Sequence, residues 1–201
     1  MDHNSNGFKS KSIDYILKNI IRNLPSNARI ISIAGGSGSG KTYFSEKLSQ
    51  RMNVKVMKLD DYIIPRTINK DSNWDLPTCW DLKLVKDHLQ KFSKRKRFSK
   101  PIYDFKTGTN SKSEIIYPSK QIILEGLYAL HDSLIGLVDF SIYLEGSEER
   151  RLNRVLERDL VERGTKTRKK ILKRWNETVQ PTYESLVEPQ SKKADIILWL
   201  N

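Results

Sequence analysis

Ile30-Ile31-Ser32-Ile33-Ala34-Gly35-Gly36-Ser37-Gly38-Ser39-Gly40-Lys41-Thr42 decides the fold. Its first half is a short β-branched run of the kind that forms a strand buried on both faces. Its second half fits G-x-x-x-x-G-K-[ST], and the chain then continues into a helical pattern carrying Phe44, Leu48 and Met52. A strand, a glycine-rich turn and a helix in that order make a phosphate cradle. Glycines let backbone amides converge on phosphate oxygens, and the helix N-terminus adds partial positive charge. Gly35, Gly36, Ser37, Gly38, Ser39, Gly40, Lys41 and Thr42 are therefore the expected nucleotide-binding residues. Lys41 should reach the β- and γ-phosphates, and the Thr42 hydroxyl should hold Mg²⁺, which prefers oxygen ligands. ATP is the expected nucleotide, with GTP as the other candidate.

Four more apolar runs follow, at Val54–Leu59, Gln121–Leu124, Val138–Leu144 and Asp195–Leu200. Each is separated from the next by enough chain for a crossover, which predicts an α/β fold with a five-stranded parallel sheet flanked by helices. Ile13, Ile16, Leu17, Ile20, Ile21 and Leu24 predict an amphipathic helix over 11–24 that stops before Pro25. Residues 1–28 thus read as an N-terminal helical extension and 29–201 as the main domain. Leu82, Val85, Leu89 and Phe92 predict another helix. Pro101–Phe105 and Glu114–Tyr117 flank a turn-forming stretch, Lys106–Ser113, and predict an inserted hairpin over about 98–118, in position to touch substrate. Residues 148–163 and 167–187 read as two helices, the second interrupted or kinked at Pro181.

The 201 residues suit one domain, and 36 Lys plus Arg against 24 Asp plus Glu give a net charge of +12, so anionic partners are expected. Cys79 is the single cysteine, which excludes an intramolecular disulfide framework and a multi-cysteine zinc site and suits a reducing cytoplasm. No run of about 18 apolar residues suggests a membrane span. The basic run Lys94–Arg97 lacks the interleaved aromatics that stack bases, so it reads as a solvated helix end and no specific nucleic-acid partner is expected. A nucleic-acid-binding ATPase and a non-catalytic nucleotide-binding module are the competing classes.

A phosphate cradle is shared by GTPases, motors and small-molecule kinases. Guanine recognition wants N-K-x-D, and the nearest string, Asn69-Lys70-Asp71-Ser72, ends in serine. Two carboxylates stand at predicted strand ends, Asp60 after the second and Glu125 closing the third, where parallel sheets open their ligand crevice. A base at Asp60 would activate a hydroxyl nucleophile, and Glu125 would support Mg²⁺.

Gly35–Thr42, Leu59-Asp60-Asp61-Tyr62, Asn73-Trp74-Asp75-Leu76-Pro77, Pro101–Phe105, Leu124-Glu125-Gly126, Arg158-Asp159 with Glu162-Arg163-Gly164, and Ala194–Ile197 occur in the order seen in uridine kinases and phosphoribulokinase-like enzymes. The chain resembles that family over residues 29–198. The resemblance implies transfer of the ATP γ-phosphate to the 5′-hydroxyl of a nucleoside, uridine or cytidine first. Asp60 would be the base, with Thr42, Asp60 and Glu125 near Mg²⁺. It implies ribose recognition by Asp75 beside Trp74, a pocket wall at Tyr103, and a helical lid over about 148–175. Arg151, Arg154, Arg158 and Arg163 would grip phosphate there, Arg154 and Arg158 at the point of transfer and Arg163 on the nucleotide. Arginine suits bidentate capture of phosphate oxygens. Ile63, Gly108 and Arg174 depart from the family's base-reading residues, and Arg174 could favour an anionic acceptor such as a sugar phosphate. Self-association into a homo-oligomer is compatible with these readings.

Overall fold

The computed structural model describes residues 12–65, 67–68, 73–161 and 167–200. Arg163 and the string Asn69–Ser72 lie outside the described residues. Helix α1 spans Ile13–Asn23, capped by Ser12, whose side chain accepts the Tyr15 N–H. Strand β1 (Ile30–Gly35) leads through the glycine turn into α2 (Lys41–Met52), followed by β2 (Lys55–Lys58) and α3 (Leu82–Ser93). Strands β3 (Phe98–Asp104) and β4 (Thr109–Ile116) form an antiparallel hairpin apart from the main sheet. Then come β5 (Ile122–Glu125), the single turn α4 (Asp132–Ile135), β6 (Phe140–Glu145), α5 (Glu148–Val161), α6 (Arg168–Arg174) and β7 (Ile196–Trp199).

The sheet has five parallel strands in the order β2-β5-β1-β6-β7. That order puts β1 at the centre, β5 beside it and β2 beyond β5 at the edge, so the glycine loop, Glu125 and Asp60 follow three successive strands at one sheet end. Alternation along β1 splits the core in two. Ile31 and Ile33 pack with Leu17 and Ile20 of α1 and Phe44 and Leu48 of α2. Ile30 and Ala34 face the opposite layer, with Val85, Leu89 and Phe92 of α3 and Leu134 of α4. Helix α1 is thus part of one covering layer.

Two expectations are refined. The hairpin turn is shorter than the stretch 106–113, because Gly108 takes φ +72 and returns its N–H to the Asp104 carbonyl at 2.7 Å, closing the turn early. The chain from Arg168 to Val187 does not break at Pro181. It stays helical through wide π turns at Trp175–Val179 and Tyr183–Val187, and the Gln180 N–H bonds the Trp175 carbonyl five residues back. The widened turn changes the bonding frame just before the proline, whose missing N–H would otherwise interrupt an α ladder. No helix among the described residues is long and apolar enough to cross a membrane.

Candidate active site

At the C-terminal ends of β1, β2 and β5 a cleft opens, lined by Ser37, Lys41 and Thr42 of the loop and by Asp60, Glu125, Trp74, Asp75, Tyr103, Arg158 and Arg174. Its volume of about 210 Å³ far exceeds that of a single water, so it has room for a solute. The loop curls where only glycine is comfortable. Gly38 sits at φ +79, and a Cβ there would meet the Arg151 carbonyl oxygen at 2.2 Å. Gly40, at φ +96, is the N-cap of α2, whose first amides lack intrahelical partners. The Lys41 ammonium donates to the Gly36 carbonyl at 2.9 Å. Burial pushes its pKa down, while Glu125 and Asp60 oppose that shift.

Glu125, 5% exposed, accepts the Thr42 hydroxyl at 3.3 Å. Burial pushes its carboxyl up to about 7, with Lys41 pulling down and Asp60 pushing up. The group is therefore an acid poised to ionise when a cation arrives. Thr42, Glu125 and Asp60 offer only oxygen, the donor set that suits Mg²⁺ when phosphate and water complete the shell. The residues fit the ion.

The Asp75 backbone is held twice, its N–H by Asn73 Oδ1 at 3.0 Å and its carbonyl by the Tyr128 hydroxyl at 2.5 Å. Trp74 and Tyr103 line the same cleft, Tyr103 meeting Phe105 edge-on at 5.1 Å between ring centroids. Trp80, Phe105 and Leu127 also line it, and the sequence reading did not single them out. Phe105 and Leu127 each adjoin a motif, in Tyr103-Asp104-Phe105 and Glu125-Gly126-Leu127, and that adjacency was the available signal. Gly108 does not line the cleft; it is a buried turn residue, whereas Ile63 and Arg174 do line it.

The arginines expected to grip phosphate divide. Asp159, fully buried on α5, accepts Arg158 Nε at 2.9 Å and Arg174 Nη2 at 2.7 Å, so one carboxylate carries two cleft-lining guanidiniums. Arg154 sits outside the cleft lining, its Nη1 donating to the Gly38 carbonyl at 3.2 Å. Arg151 is not brought to the cleft either. Its guanidinium is buried behind the loop, donating to the Gly146 carbonyl (3.2 Å) and Gln180 Oε1 (2.7 Å) and lying 3.6 Å over the Tyr183 ring. All three partners are neutral, and Arg151 Nη1 is buried beside Gly36 of the loop with no hydrogen-bond partner among the described residues.

With this geometry in view, the sequence of residues 30–199 matches the family described as Phosphoribulokinase / Uridine kinase. The chain belongs to that family. A relative named uridine kinase from Oceanobacillus iheyensis is 34% identical over 179 residues, covering 84% of this chain and 85% of its own. Another from Lactobacillus helveticus is 34% identical over 180 residues, with coverage of 84% and 85%. A solved structure described as a possible uridine kinase from Bacillus stearothermophilus superposes with a TM-score of 0.68 at 21% identity. It covers 92% of this chain and 96% of the other, which makes the fold that of the P-loop kinases. In this chain the ends of the parallel strands and the separate hairpin, through Tyr103 and Phe105, line one cleft.

Proposed function

We propose that the protein transfers the γ-phosphate of ATP to the 5′-hydroxyl of a pyrimidine ribonucleoside, uridine or cytidine. The observation that carries this reading is the cleft itself, which is lined by both the Lys41–Thr42–Glu125–Asp60 group and the Trp74–Asp75–Tyr103 group. The family and the names of the relatives support the same chemistry. A carboxylate beside aromatic rings is what a sugar diol under a flat base requires.

In this mechanism Asp60 accepts the proton of the 5′-hydroxyl as its oxygen attacks the γ-phosphorus, and ADP leaves on the opposite side. Lys41 and Arg158 stabilise charge on the transferred group, and the loop amides hold the β-phosphate. Mg²⁺, when bound, neutralises charge between the β- and γ-phosphates, and Thr42, Glu125 and Asp60 would hold it. Asp75 orients the ribose, and the aromatic wall excludes water from the base.

ADP release coupled to a spectroscopic assay, run with uridine, cytidine, their 2′-deoxy forms, purine nucleosides and sugar phosphates, and with ATP or GTP as donor, tests the reading. ADP formation dependent on uridine or cytidine supports it. Turnover confined to a sugar phosphate would instead favour the phosphoribulokinase-like reading, for which the observation is Arg174 in the cleft wall.

A further inference from the structure

Behind the cleft, four side chains of alternating charge run from the sheet edge to the turn that carries Asp60. Lys55 of β2 meets Glu114 of β4 at 2.9 Å, Glu114 lies 3.8 Å from Lys100 of β3, and Lys100 pairs with Asp61. The Lys100 side chain is 3% exposed and that of Asp61 17%, so the last link is shielded from water. Lys100 also donates to the Pro101 carbonyl at 3.2 Å. Neither Lys100 nor Asp61 is among the residues lining the cleft.

The second Asp61 oxygen has a different task. It accepts the Tyr103 N–H at 3.4 Å. Hairpin pairing is regular from Phe98↔Ile116 to Ile102↔Lys112, then shifts and resumes at Asp104↔Thr109, so Tyr103 falls in the irregularity. The extra residue is on β4, where Asn110 and Ser111 stand opposite Tyr103 alone, and the ladder is interrupted there. The Tyr103 side chain lines the cleft while its amide turns to Asp61, the chain neighbour of Asp60. One carboxylate thus fastens the turn bearing the base to the strand bearing the pocket wall.

We propose that Asp61 and Lys100 are positioning residues that set the separation between Asp60 and Tyr103, and so the seat of the acceptor hydroxyl. This rests on the kinase reading above. A buried ion pair adds little net stability compared with apolar side chains of similar size, but its geometry is demanding. The pair therefore fixes register between two segments 39 residues apart in sequence. A shift of about 1 Å between base and acceptor can cost about 10²-fold in rate.

The test is Lys100→Met, with the Asp61→Asn, Lys100→Met double variant as the second form should the single one fold poorly. Two readouts are taken on each: steady-state constants for uridine and for ATP, and hydrogen exchange at the Tyr103 amide relative to amides of α2. The expected result is a fall in kcat/KM for uridine of about 10- to 100-fold with the KM for ATP changed by less than about twofold, together with exchange at Tyr103 faster by about tenfold or more while α2 is unaffected. A KM for ATP raised as much as kcat/KM for uridine falls, or unchanged exchange at Tyr103, would overturn the proposal. If the unmutated protein phosphorylates no nucleoside, the proposed acceptor falls, and the Tyr103 exchange, which needs no acceptor, still decides the role of the pair.

Discussion

Replacing Glu125 by glutamine should flatten the pH dependence of stability in the nucleotide-free protein. In the folded chain the Glu125 carboxyl is pushed up from an ordinary 4.5 to about 7, chiefly by burial. A folded pKa above the unfolded one means that the folded state holds the proton more tightly. The stabilising contribution is therefore complete below about pH 4.5 and is lost as pH rises through about 7. The span of about 2.5 pH units, at 1.36 kcal/mol each, corresponds to about 3 kcal/mol. Urea denaturation of both proteins from pH 4 to 8.5, without nucleotide or Mg²⁺, measures it. The stability difference between Glu125→Gln and the unmutated protein should swing toward the variant by about 3 kcal/mol across that range, since an amide keeps the Thr42 contact without ionising. Mg²⁺ with a non-hydrolysable ATP analogue should abolish most of the swing in the unmutated protein, because a cation favours the ionised carboxylate. Two parallel stability curves would refute the assignment of Glu125 as the buried, proton-holding member of the site.

Asp60→Asn should leave ATP affinity intact in a calorimetric titration while lowering turnover by about 10²-fold or more, since an amide cannot accept the hydroxyl proton. The unmutated enzyme should favour ribonucleosides over 2′-deoxyribonucleosides by roughly 5- to 150-fold, the cost of about 1 to 3 kcal/mol for an unpartnered polar group. Competition assays should show Asp75→Ala erasing that preference. Gly38→Ala should destabilise the protein by more than about 2 kcal/mol in thermal unfolding and abolish ATP binding, because its Cβ would collide with the Arg151 carbonyl at a left-handed backbone position.

The parallel sheet was legible because its strands are β-branched runs buried on both faces, and local composition alone marks such runs. The phosphate loop was legible because a glycine-rich turn between strand and helix is a local device too. The hairpin turn was overestimated, since Thr109–Ser113 carries turn-forming residues yet pairs with β3. Tertiary pairing overrides propensity there. Gly108 read as a gap in base recognition; at φ +72 it answers to the backbone, so a histidine at that position would be strained. Arg151 and Arg154 look alike on one helix, and only the packing of α5 against the loop separates their tasks from that of Arg158. The Asp61–Lys100 link and the contribution of Trp80 had no local signature, because each depends on segments brought together by the fold.

The buried Asp159 carboxylate bears on how the cycle ends as well as how it begins. On the proposed kinase reading, Arg158 and Arg174 would not be recruited from water when a phosphate enters, because Asp159 already holds both. The same carboxylate would then compete with the departing product for the two guanidiniums. A cleft built this way would hold its products less tightly than one that leaves a bare cation behind, so Asp159 would ease their escape.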